Sequence, residues 1–165
     1  MSKLDYEIYC DYDGVLVNFR KGISDLRGQE LKKNEYYRDT RREITVDFWA
    51  NLEPLPDWMD LWNFISPHDP HILTAFPKWD DKAAEIADEG KRIWNRKYTK
   101  VPEERMHIVT RQTKKYFAKR YMGQNILIDD DPDNIYEWSR AGGIAIFHDE
   151  NAAKSIEALK KLGYG

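Results

Sequence analysis

Only one cysteine, Cys10, stands in the 165-residue chain. That excludes an internal disulfide framework and any multi-cysteine metal centre, and it suits a reducing compartment. No apolar run approaches the roughly 20 residues of a membrane-spanning helix. The amino-terminal stretch MSKLDYEIYCDYD carries acids where a secretory signal needs an unbroken apolar run. The expectation is a cytoplasmic protein without a membrane partner. A strong charge of either sign is also lacking. The 26 Lys and Arg against 29 Asp and Glu leave a formal charge of −3, so no global basic field draws in nucleic acid. Repeats, low-complexity tracts and long linkers are absent too. What is present is 41% apolar residues, enough for the core of one domain with a small appendage.

Five short apolar runs read as buried strands: Tyr6 to Cys10, His71 to Thr74, Met106 to Val109, Ile126 to Ile128 and Ile144 to Phe147. Helical patterns separate them. Trp79, Ala83, Ile86, Ala87 and Trp94 share one helical face. A second helix is expected after Thr113, burying Phe117 and Tyr121. A third carries Ile135, Trp138 and Ala141 and stops at Gly142–Gly143. A last one runs from Asn151 to Leu162. Strands alternating with helices predict an α/β fold, a Rossmann-like three-layer arrangement around a parallel sheet. Ligands of such sheets bind beyond the carboxyl ends of the strands. The stretch between the first two strands is far longer than one crossover helix requires. We read residues 19–65 as an inserted helical cap and 1–18 with 66–165 as the α/β core. The cap would hold a charged helix over Gln29 to Arg42, the segment DFWANLEPLPDW, and a return helix from Pro56 to Ile65.

The first strand runs directly into Asp11-Tyr12-Asp13-Gly14. Carboxylates two residues apart on an extended strand point to the same side, and Gly14 lets the backbone turn away. One carboxylate can then attack phosphorus while the other exchanges a proton with the leaving oxygen. An acidic turn is the plain alternative. An EF-hand is excluded, because the glycine comes too early and a strand precedes the loop. The second acidic group, Asp129-Asp130-Asp131-Pro132-Asp133, follows the strand Ile126 to Ile128. Adjacent acids repel, and a divalent cation is one way to hold them; Mg2+ takes one or two carboxylates together with water and phosphate oxygens. Asp131 and Asp133 also suit the start of the next helix. After the second strand, Thr74 and the Ala75 amide can hold a phosphate oxygen. After the third, a lysine of Thr110-Arg111-Gln112-Thr113-Lys114-Lys115 can neutralise phosphate and carboxylate charge.

Taken in order, Asp11/Asp13, Thr74, Lys114 and Asp129/Asp130 resemble the four motifs of the haloacid dehalogenase superfamily. The segments DYDGVLVNF, FWANLEPLPDW, ILTAFPK and ILIDDDPDNI are most similar to the 5′(3′)-deoxyribonucleotidases. The resemblance implies a Mg2+-dependent phosphatase with a haloacid dehalogenase-like core. Asp11 would form an aspartyl phosphate, and Asp13 would serve as general acid and base. The cation would be held by Asp11, the Asp13 carbonyl and Asp130, with Asp129 behind or acting through water. Thr74, Ala75, Lys114 and Lys78 would bind phosphate. The substrate implied is a small phosphate ester, a nucleoside monophosphate in particular.

Two departures from the family pattern matter. The third-motif lysine is one residue out of register, so Lys114 and Lys115 compete for the role. The cap lacks the aromatic–aliphatic tripeptide that contacts the base, leaving Tyr36, Tyr37, Phe48 and Trp49 as candidates for stacking on a base or for cap core. A sugar phosphate, a phosphorylated polynucleotide end, or a silent nucleotide-binding module remain as rivals. Action on polynucleotides would need a basic track, whereas runs such as Lys91 to Lys100 read as solvated helix faces. The oligomeric state is open, a homodimer being compatible with it.

Overall fold

The run YEIYC forms β1 (Tyr6–Cys10), the central strand of a six-stranded sheet in the computed structural model. Parallel to it lie β2 (His71–Ala75) on one side and β5 (Gly123–Asp129) on the other. Beyond β2 comes β3 (Met106–Val109), also parallel. On the far side of β5, the two-residue β4 (Lys119–Arg120) pairs antiparallel with its start. β6 (Ile144–Phe147) pairs parallel with its second half. The structure describes residues 6–28, 43–77 and 80–165. Because five strands are parallel, the residues following β1, β2, β3, β5 and β6 emerge on one edge of the sheet, where α/β proteins bind ligands.

The helices are α1 (Phe19–Arg27), α2 (Val46–Ala50), α3 (Trp58–Ile65), α4 (Asp81–Lys97), α5 (Pro132–Arg140) and α6 (Ala152–Lys161). Their ends follow local chemistry. The Asp80 carboxylate accepts from the Ala83 amide at 2.7 Å and starts α4. Asp131 does the same for α5 through the Asp133 amide, with Pro132 in the first turn. Gly142, with φ of 96°, ends the turn after α5.

Two sequence expectations need correction. The segment after Thr110 is a 3-10 helix over Arg111–Phe117, which starts before Thr113. It leads into the β4–β5 hairpin, whose tip carries Tyr121 at 94% exposure instead of burying it. The sheet is therefore mixed, parallel except for β4, a two-residue strand too short to register as an apolar run. Within residues 19–65, read above as the cap, several described side chains pack with the sheet. Ile23, Trp49, Leu52, Leu61, Trp62 and Ile65 pack in the same buried cluster as Ile8, Ile72 and Ile126 of the sheet. The predicted helix over 29–42 lies outside the described residues. Among the described residues no helix is long and apolar enough to cross a membrane.

Candidate active site

Asp11 is the first residue past β1. Its amide donates to the Ile128 carbonyl of β5 at 3.0 Å, continuing the sheet ladder by one bond. The chain then closes a tight loop in which the Val15, Leu16 and Val17 amides all donate to the Tyr12 carbonyl. Gly14 makes that loop possible at φ of +82°. It also has no Cβ, and one placed there would lie 1.9 Å from a carboxylate oxygen of Asp130. The first acidic loop thus nests directly against the second. We predict that Gly14→Ala costs about 1–3 kcal/mol of stability from the positive φ. The added methyl should also displace Asp130 from the acidic cluster, so any rise in melting temperature on adding a divalent cation should shrink; thermal melting with and without Mg2+ separates the two effects.

Three acids converge here. One carboxylate oxygen from each of Asp11, Asp129 and Asp130 lies within 4.8 Å of the others. Asp11 and Asp129 are buried. Lys114 is buried with them, its Nζ 2.8 Å from Asp129 Oδ2 and 3.2 Å from Asp11 Oδ1. The 3-10 helix explains why Lys114 and not Lys115 takes this place. Side chains three apart share a face, so Arg111, Lys114 and Phe117 all point inward. Lys115 instead lies over the ring of Tyr116. Asp129 is fully engaged, its Oδ1 accepting from the Asp131 amide and its Oδ2 from Lys114 and from Asn134 Nδ2. It therefore anchors the loop and the lysine, leaving Asp11 and Asp130 the freer carboxylates.

The charges are mutually costly. Burial, then the neighbouring Asp129, Asp130 and Asp13, raise the Asp11 carboxyl well above its ordinary range, with Lys114 opposing. Asp130 keeps a solvent-exposed edge, yet burial of its carboxyl, then Asp129 and Asp13, push it up to about 7. Burial pulls the Lys114 ammonium down, but Asp11 and Asp129 outweigh it and leave it raised. Cys10, buried one residue before Asp11, has its thiol driven up by burial and then by Asp11 and Asp129, so it is no competing nucleophile.

Opposite this cluster stands a residue that the sequence pattern did not single out. Lys91 of α4 is buried, 2% exposed. Its Nζ donates to Asp13 Oδ2 at 2.8 Å and to Thr74 Oγ1 at 2.7 Å. The solvated helix face expected for the Lys91 to Lys100 run is wrong at this position. One signal was available: Lys91 lies four residues after Ala87 and three before Trp94, on the apolar stripe of α4. Asn134 and Arg111, which hold Asp129 in turn, carried no sequence signal at all.

Thr74, at the end of β2, is fully buried, and Ala75 follows it. The Phe76 amide donates to Val109 of β3, so the alternation of an extended strand turns the Ala75 amide toward β1. Trp49 is 3% exposed, stacked on Phe19 at 5.3 Å between centroids, with Lys91 Nζ 4.9 Å from its ring centre. Trp49 is thus packed as core, and its burial leaves no room there for a base. Phe48 is half-buried and packs edge-on against Phe19 and Trp49. Tyr36, Tyr37 and Lys78 lie outside the described residues.

The donors around this centre suit a hard cation. The side chains that converge among the described residues are carboxylates, and with all four ionised Asp11, Asp13, Asp129 and Asp130 would exceed Lys91 and Lys114 by two negative charges, the complement of one divalent ion.

No protein-family model matches the sequence. A hydrolase from Streptococcus pneumoniae TIGR4 superposes over 97% of this chain and 100% of its own, with a TM-score of 0.51 and 13% identity. A haloacid dehalogenase family hydrolase from Deinococcus radiodurans R1, solved with bound phosphate and sodium, superposes over 99% of this chain and 98% of its own, at a TM-score of 0.53 and 11% identity. The fold is that of the haloacid dehalogenase hydrolases. A Vibrio phage KVP40 protein that carries the provisional name 5′(3′)-deoxyribonucleotidase is 30% identical over 92 residues. The match takes in 55% of this chain and about half, 49%, of that relative's length. On this fold, then, the acids at the ends of β1 and β5, the threonine near the end of β2 and the lysine after β3 all lie at one edge of the sheet.

Proposed function

We propose that the chain is a Mg2+-dependent phosphomonoester hydrolase, with a nucleoside monophosphate, a deoxyribonucleotide in particular, as its substrate. The observation that carries this reading is the meeting of Asp11 and Asp130 at adjacent strand ends, with Lys114 held against Asp11. The Asp11 and Asp130 carboxylates with the Asp13 carbonyl are the groups to hold Mg2+. When bound, the cation offsets the acids' repulsion and draws charge from a phosphoryl oxygen. The nucleotide assignment is supported by the partial match to the phage protein and by the sequence segments that resemble deoxyribonucleotidases.

In this reading an Asp11 oxygen attacks phosphorus. The ester P–O bond breaks, and Asp13 gives its proton to the departing alcohol oxygen. Water then attacks the phosphoryl group on Asp11, Asp13 takes the water proton, and the Asp11–phosphorus bond breaks to release inorganic phosphate. Thr74, the Ala75 amide and Lys114 serve the phosphoryl oxygens; positioning and charge neutralisation supply most of the acceleration.

A phosphate-release screen over ribo- and deoxyribonucleoside monophosphates, sugar phosphates and 5′-phosphorylated oligonucleotides, with Mg2+ and with chelator, tests the proposal. The expected result is chelator-sensitive release from nucleoside monophosphates and little from oligonucleotide ends. Release from sugar phosphates alone would overturn the substrate class, and release that survives the chelator would overturn the metal.

A further inference from the structure

Lys91 is a charged side chain on the wrong face of its helix. The buried side of α4 is formed by Ala87, Gly90, Lys91, Trp94 and Asn95. Gly90 brings that side close to α2. A Cβ there would lie 2.3 Å from Trp49 Cβ and 2.8 Å from the Val46 carbonyl oxygen. The close approach holds Trp49 against the lysine, so Nζ is enclosed by Asp13, Thr74 and an indole face.

Stability alone gives little reason for an ammonium there. Well-packed apolar groups are often neutral or better in place of a buried ion pair. The Asp13 side chain is 29% exposed and would stay hydrated without its partner. The arrangement has a clearer consequence for chemistry. An ammonium has donors and no acceptor, so both of its bonds have a fixed direction. Thr74 Oγ1 must accept from Lys91, which leaves the hydroxyl hydrogen to be donated elsewhere. Asp13 is held by Oδ2, which leaves Oδ1 to meet the leaving oxygen.

We propose that Lys91 is a positioning residue for phosphoryl transfer: it turns the Thr74 hydroxyl into a donor for a phosphoryl oxygen and pins the Asp13 carboxyl in the orientation that reaches the leaving group. The proposal rests on the acid role of Asp13 given above. Lys114 serves the nucleophile side of the site and Lys91 the leaving-group side, each tying two functional residues with one ammonium.

The test compares kcat/KM for a nucleoside monophosphate, whose alkoxide leaving group needs a proton, with kcat/KM for p-nitrophenyl phosphate, whose leaving group does not. Asp13→Asn is the reference variant and should lower the ratio of the two by about 100-fold, the usual scale of general acid catalysis. Lys91→Met should lower both constants through the loss of the Thr74 tie. It should also lower the ratio at least about tenfold through the loss of the Asp13 tie. In an Asp13→Asn background, Lys91→Met should leave the ratio unchanged. Lys91→Gln, which keeps one donor, should fall between wild type and Lys91→Met.

An unchanged ratio in Asp13→Asn would defeat the acid role of Asp13, and the Lys91 proposal with it. A ratio that falls in Asp13→Asn but not in Lys91→Met would overturn the Lys91 proposal alone. Failure of both Lys91 variants to fold would also overturn it, since the ion pair would then be a structural one.

Discussion

Asp11→Asn should abolish phosphate release, by at least about 10⁴-fold in kcat, while the melting temperature of the metal-free protein stays level or rises. The two halves of this result have one origin. Asp11 is buried among Asp129, Asp130 and Asp13, and burial with that repulsion holds its carboxyl well above the ordinary range. An amide of the same shape removes the repulsion and keeps the packing. Lys114 stays paired through Asp129 at 2.8 Å. The amide, however, is no nucleophile toward phosphorus and a poor ligand for a hard cation. The Mg2+-induced rise in melting temperature should therefore shrink in the variant. Phosphate release and thermal melting on the same preparation read both halves. A variant that loses activity only because it melts far lower would contradict the assignment.

The second large effect concerns pH and metal together. Asp130 is pushed up to about 7 in the metal-free site, against about 4 in an unfolded chain. Between those values the folded state holds a proton that the unfolded state has released. This group's contribution to stability is therefore lost as pH rises toward 7. Asp11 shifts in the same direction. A bound cation takes the place of the proton, so Mg2+ affinity should rise up to about tenfold per pH unit for each proton displaced. Total stability is a poor reporter of this. Burial lowers His71, His107 and His148, whose contributions run the opposite way and are lost as pH falls. The Mg2+-induced change in melting temperature cancels those terms. It should be small at pH 5.5 and several-fold larger at pH 8. A change that is equal at both pH values would contradict the crowded-acid account.

Much of this site was legible in the sequence, because its position depends on strand ends. β1, β3 and β6 are apolar runs, and whatever follows a parallel strand lands on the binding edge. Asp11 and Thr74 could thus be placed from order alone, while Asp130 was singled out of its acidic run by the family resemblance. Lys114 needed one more fact, the threefold face of a 3-10 helix, which a reading based on ordinary helical period does not supply. Lys91 stayed hidden for a different reason. A lysine on a charged helix reads as solvated unless its place on the apolar stripe is weighed above its charge, and its partners lie 17 and 78 residues away in the chain. Trp49 shows the reverse case. Its residue type suited either base stacking or cap core, and its packing against Phe19 and α4 makes it core.

The central claim is that Asp11 carries the phosphoryl group between the two half-reactions. Rapid acid quenching of the enzyme during turnover with Mg2+, followed by peptide mass spectrometry, tests it most directly. The account predicts one added phosphoryl group on the peptide containing Asp11, lost on exposure to base and absent from Asp11→Asn. Turnover with that peptide never modified, or with the phosphoryl group on a different residue, would contradict it.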